Sequence, residues 1–123
     1  MWFITLILII LAGMFNAAMD VLRYRYKTSI FKDWKYQNWV NPALSQMNKW
    51  KPTTKFGDLM MSTVLVWVTD MWHFVKMLMW TSIMFGIIFY NPITSFWLLD
   101  VFILYFSLTG TFELFFSVIF IKK

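Results

Sequence analysis

The sequence predicts an all-α integral membrane protein with three transmembrane helices and one or two interfacial helices in the linker between the first and second. Three observations carry this. The chain of 123 residues is 60% hydrophobic, 22% aromatic and only 14% charged, where a soluble domain carries about a quarter charged residues. Its apolar residues fall in three blocks, each near spanning length. Eight of its eleven Lys and Arg residues lie in one stretch, Arg23 to Lys55. A chain this small has no aqueous core able to hide so much apolar surface, so the excess faces lipid or partners within lipid.

Residues 1–123 read as a single membrane domain. The first span covers about 2–22, and Met1–Ala18 carries no side-chain charge. Asn16-Ala17-Ala18 offers small residues near a cleavage point, but the basic n-region of a signal peptide is missing and the apolar run approaches full spanning length. An uncleaved anchor is therefore expected. The second segment covers about 58–90, with Asp58 after Gly57 as its expected N-cap. Asn91-Pro92 is a turn signal. It makes the second and third segments an antiparallel hairpin, the third covering about 93–121 before Lys122-Lys123.

Three spans put the linker, 23–57, and the C-terminus on one side. The N-terminus and the Asn91-Pro92 turn, both without Lys or Arg, lie on the other. The positive-inside rule places the basic side in the cytoplasm and the N-terminus outside. Trp2 and Trp97 suit the outer aromatic belt, and Trp34, Trp39 and Trp50 the inner one.

Within the linker, Ile30, Phe31 and Trp34 recur at helical spacing. Asn41-Pro42 reads as N-cap and first helical residue, and Pro52 as a stop. The resulting helix puts Leu44, Met47 and Lys51 on one side. Such helices suit the headgroup layer, with Arg23, Arg25, Lys27, Trp34 and Trp50 as the expected headgroup-binding residues. Basic residues interleaved with aromatics also suit stacking on nucleic acid. Beside a bilayer the expected partner is membrane lipid, and no nucleic acid is expected.

Ionisable groups inside a span are costly and mark partners or cavities. Helical spacing places Asn16, Asp20 and Arg23 on one stripe, Thr63, Val66, Asp70 and His73 on another, and Asp100, Ser107 and Thr111 on a third. Glu113 lies on a different side of the last helix. At about 1.5 Å per residue, Asp20 lies roughly 27 Å from the outer end, Asp70 and Glu113 roughly 30 Å, and His73 roughly 25 Å. All four are expected to meet at the cytoplasmic edge. Asp100, roughly 10 Å deep by the same count, stands apart, protonated or bonded to Thr81 or Ser82.

Three readings follow. In the first, the polar residues are interhelical hydrogen bonds that hold register. In the second, His73 is a general acid–base oriented by Asp70. Asp20 and Glu113 then act as further catalytic groups, or all four as ligands of a divalent cation, with a lipid headgroup as substrate. In the third, the chain is an oligomeric pore or an accessory subunit, self-associating or joined to a membrane partner. Gly13-x-x-x-Ala17 supplies the close approach that this needs. The absence of cysteine excludes disulfides, zinc thiolates and thiol nucleophiles.

The chain resembles a group of small predicted membrane proteins of unknown function from Bacteroidetes and their phages. The resemblance rests on Asn16-Ala17-Ala18-Met19-Asp20, Tyr26-Lys27-Thr28-Ser29-Ile30-Phe31, Asn48-Lys49-Trp50-Lys51 and Thr69-Asp70-Met71-Trp72-His73, in the first two thirds of the chain. It implies a bacterial inner membrane location and lends no activity. Size and span count also invite comparison with trimeric bacterial diacylglycerol kinases, whose paired Glu-rich motifs this chain lacks.

Overall fold

In a computed structural model, which describes residues 1–45, 55–63 and 65–122, the described residues are mostly helical and no strand element occurs among them. The helices are α1 (Trp2–Tyr24), α2 (Gln37–Val40), α3 (Pro42–Ser45), α4 (Lys55–Ser62), α5 (Met71–Ile88) and α6 (Trp97–Leu114), the last continuing as a π turn over Phe115–Ile119. Among the described residues, three segments are long and apolar enough to cross a membrane: Trp2–Tyr24, Met71–Ile88 and Trp97–Ile119.

The second apolar segment is not the single helix expected over 58–90. Its start is α4, which has Asp58 inside it rather than at its cap. A 3-10 turn follows at Val66–Val68, and α5 begins only at Met71. The sequence explains the break. Thr63, Val64, Val66, Val68 and Thr69 set five β-branched residues in seven positions, where each loses side-chain freedom in a helix. The new start is well made. Asp70 is extended (φ −154°, ψ 163°) and its carboxylate accepts from the His73 N–H at 2.7 Å, capping α5. The 18 residues of α5 span roughly 27 Å, close to the hydrocarbon thickness of about 30 Å.

α1 is the centre of the bundle. α5 and α6 each pack chiefly on it and little on one another, so the Asn91-Pro92 turn joins two helices that α1 separates. Small residues permit this approach. A Cβ on Gly13 would lie 2.6 Å from the Leu108 carbonyl oxygen and 3.1 Å from Thr111 Cβ. The Gly13 and Ala17 stripe, expected to serve self-association, is buried inside this chain, with Gly13 against α6. At the other end of α1, Thr5 donates to the carbonyls of Phe89 (3.0 Å) and Gly86 (3.3 Å), which the end of α5 leaves open.

The hydrophobic core lies at the linker end of the bundle. It joins Ala18, Met19, Val21 and Leu22 of α1, Met71 and Val75 of α5, and Phe31 and Val40 of the linker. Phe31 is 1% exposed, and burying a phenylalanine stabilises by about 1.5–3 kcal/mol. The linker is therefore packed onto the helices rather than hung from them. It is built of 3-10 turns at Tyr26–Thr28 and Ile30–Asp33, then α2 and α3. Asn41 caps α3 as expected, accepting from the Ala43 N–H at 3.0 Å. The predicted continuation through Met47, Trp50 and Lys51 to Pro52 lies outside the described residues.

The C-terminus clasps the linker. Ser29 and Ile121 form an antiparallel bridge, the Ile30 N–H donates to Phe120 O at 3.0 Å, and the Lys122 N–H donates to Thr28 O at 2.8 Å. The Phe31 and Phe120 rings sit 5.1 Å apart, and Lys122 Nζ pairs with Asp33. The hydrogen bond and charge of Lys122 lower the Asp33 pKa. A lowered folded value means that the pair contributes above the ordinary carboxylate pKa and is lost as pH falls through the lowered value. Asp33→Asn at neutral pH is therefore expected to speed hydrogen exchange at the Ile30 and Lys122 amides. The change should be no more than several-fold, because both charges are exposed and the backbone bonds remain.

Candidate functional site

The residues expected to converge divide between three places. Asp70 and His73 do meet. His73 Nδ1 lies 2.9 Å from both Asp70 oxygens, with the Asp70 side chain 10% and the His73 side chain 27% exposed. The N-cap geometry supplies this pairing, because the carboxylate that caps the first turn also reaches the ring three residues on. Nδ1 is thereby committed to the carboxylate, leaving Nε2 as the nitrogen able to meet a ligand.

Asp20 and Glu113 do not join them. At 100° per residue Asp20 falls on the stripe of α1 that holds Gly13, the stripe turned to α6 rather than α5. It lies one turn from Arg23, whose charge it feels. Glu113 follows Thr111 by two residues, roughly 200° around α6 from the contact with Gly13. It is exposed, and the Ser117 hydroxyl donates to it at 3.4 Å. Among the described residues no three His, Cys, Asp or Glu side chains gather as a metal site. The four-ligand cation set is not assembled, and the shared catalytic cluster reduces to the Asp70–His73 pair.

Two clefts open beside Arg23, in the last turn of α1. The basic cleft, about 530 Å³, is lined by Arg23, Arg25, Lys27 and the Asn41-Pro42-Ala43 start of α3. The Arg25 guanidinium is held over the Phe116 ring at 5.0 Å and donates to Phe116 O at 3.4 Å. The mixed cleft, about 400 Å³, is lined by Arg23, Ser45, Asp70, Trp72 and His73, with Val40 and Pro42 as apolar wall. Trp34 stands 43% exposed, its ring edge-to-face with Phe31 at 4.7 Å. Trp50 lies outside the described residues.

Sequence reasoning missed Ser45 and gave Asp100 the wrong partners. Ser45 is 3% exposed and lines the mixed cleft. Its one available signal was the Asn41-Pro42 helix start, which sets Ser45 at the end of the first turn. Asp100 is 1% exposed and bonds neither Thr81, which donates to Met77 Sδ, nor Ser82, which donates to Leu78 O. Instead it accepts from the Tyr90 hydroxyl (2.7 Å), the Ile93 N–H (3.1 Å), the Thr94 N–H (2.8 Å) and the Thr94 hydroxyl (2.7 Å). It lies in the first turn of α6, so it holds the turn between α5 and α6 rather than a buried site.

No protein family, no curated protein and no solved structure matches this chain.

Proposed function

We propose that the chain is a small inner-membrane protein that binds phospholipid headgroups where its linker meets the bilayer. The observation that carries this reading is the mixed cleft, where Arg23, Ser45 and the Asp70–His73 pair line one opening at the linker end of three apolar helices. In this reading the linker and C-terminus are cytoplasmic, and α2 and α3 lie at the headgroup level. The basic cleft adds a general attraction for anionic lipid. Binding is favoured over turnover, because no hydroxyl among the described residues is hydrogen-bonded to the His73 ring.

With no native cysteine, single-cysteine variants test the topology. Ser95→Cys is expected to react with an impermeant maleimide in intact cells, and Lys27→Cys only after permeabilisation. The reverse pattern overturns the orientation. Native mass spectrometry of the detergent-solubilised protein tests the site. Arg23→Gln is expected to lower phospholipid retention about fivefold, the effect of one cation near a headgroup.

A further inference from the structure

We infer that the mixed cleft recognises a zwitterionic aminophosphate headgroup, the phosphoethanolamine of a membrane lipid. Arg23 and Ser45 would hold the phosphate, and Asp70 with His73 the ammonium. This rests on the headgroup reading above and names the ligand class within it.

The charges of the cleft carry the argument. Arg23 and Asp70 face one opening of about 400 Å³, yet they do not close on each other. The Asp70 contact within 4.0 Å is His73, and Arg23 instead lies over the Tyr24 ring at 5.2 Å. A cation and a carboxylate held apart across one cleft match a ligand that carries the opposite pair. Ser45 points the same way. It lines the same opening as Arg23 and Asp70. A hydroxyl on the wall of that opening suits a phosphate oxygen as donor.

The ammonium end sets the selectivity. Asp70 accepts from the His73 N–H and faces the His73 ring, and a carboxylate has about four acceptor positions in all. A primary ammonium supplies N–H donors for those that remain, whereas a choline nitrogen has none. The aromatic route to choline is already taken. Lys76 Nζ lies 5.1 Å over the Trp72 ring, and His73 meets Trp72 edge-on at 4.8 Å. Phosphatidylglycerol offers the phosphate without the ammonium.

The test is native mass spectrometry of the full chain in detergent, with equimolar phosphatidylethanolamine, phosphatidylcholine and phosphatidylglycerol of equal chain length. The ethanolamine lipid is expected to be retained about tenfold over the other two, the factor given by one charge-assisted hydrogen bond. Asp70→Asn is expected to erase that preference. Asparagine still caps a helix, so the variant removes charge without removing the fold. Arg23→Gln is expected to weaken all three lipids. Equal retention of the three by the native chain, or a preference that survives Asp70→Asn, overturns the zwitterion inference and leaves the headgroup reading standing. Retention of none overturns both. Free phosphoethanolamine at the lipid's concentration is expected not to displace it, since Val40, Pro42 and Trp72 line the wall beside the glycerol. Displacement as efficient as lipid binding overturns the assignment to lipid.

Discussion

Gly13→Leu is expected to separate α1 from α6 and to destabilise the bundle by about 3 kcal/mol or more, the upper range for overpacking a close contact. Glycine is needed here for proximity rather than for backbone freedom. The atom that a Cβ would strike is the Leu108 carbonyl oxygen at 2.6 Å, part of the α6 backbone. It cannot swing aside as a side chain would, so α6 as a whole must retreat. Because α6 packs little on α5, losing α1 leaves it held mainly by the turn to α5 and by the C-terminal clasp. Gly110 is the control. A Cβ there meets nothing within 4 Å, so Gly110→Ala is expected to be neutral or to stabilise by up to about 1 kcal/mol through helix propensity. Thermal unfolding of both variants in detergent checks the contrast. Equal melting temperatures would show that the close approach at Gly13 is not what holds α1 to α6.

The contrast between the two glycines shows how far sequence reasoning reached. The apolar blocks, the Asn41 cap and the turn near Asn91-Pro92 were legible because each rests on local chemistry. The small-residue pair Gly13 and Ala17 was recognised as a close-approach stripe, but its partner was not. A stripe declares that something comes near, whereas the identity of the neighbour depends on three-dimensional packing. The pairing of Asp70 with His73 was legible for the opposite reason, since residues three apart are neighbours at a helix start, although the N-cap carboxylate rather than a shared helix face makes the contact.

The expected four-residue cluster failed through depth counting. Counting assumed one unbroken helix through residues 58–90 and fixed only height along the membrane normal. Asp20, His73 and Glu113 are comparable in such a count yet face different neighbours around their helices. The β-branched run at 63–69 was the signal for the break, and it was masked by apolar character that a span and a packed linker share. Ser45 was invisible because nothing about a serine after Pro42-Ala43-Leu44 announces a cleft.

Asp100→Ala is expected to unfasten the turn between α5 and α6 and to cost about 3 kcal/mol or more, since hydrogen bonds to a charged group contribute about 1.5–3 kcal/mol each and are not additive. The count from Ile93 placed this carboxylate roughly 10 Å deep, but α6 begins at Trp97 with Phe96 as N-cap. Residues 93–96 therefore form a loop that folds back over Asp100, and two of its N–H groups and one hydroxyl donate inward. The Tyr90 hydroxyl completes the set from the end of α5. All of these are donors, so the site requires a pure acceptor. Asp100→Asn, nearly the same shape, is expected to fail almost as badly, because its amide would turn N–H groups towards donors. Thr94→Val removes the hydroxyl contact to Asp100 and the one accepted from the Phe96 N–H, leaves the backbone donors in place, and is expected to cost about 1–2 kcal/mol. Tyr90 offers an independent readout. Its hydrogen bond to Asp100 raises its pKa, so this contribution is full below the ordinary tyrosine pKa and is lost as pH rises through the raised value. In Asp100→Ala the Tyr90 ionisation should return towards the ordinary range, followed by ultraviolet titration against a Tyr90→Phe reference. If stability is unchanged while Tyr90 still titrates high, Asp100 does not fasten the turn, and another donor or acceptor must hold the two spans at that end.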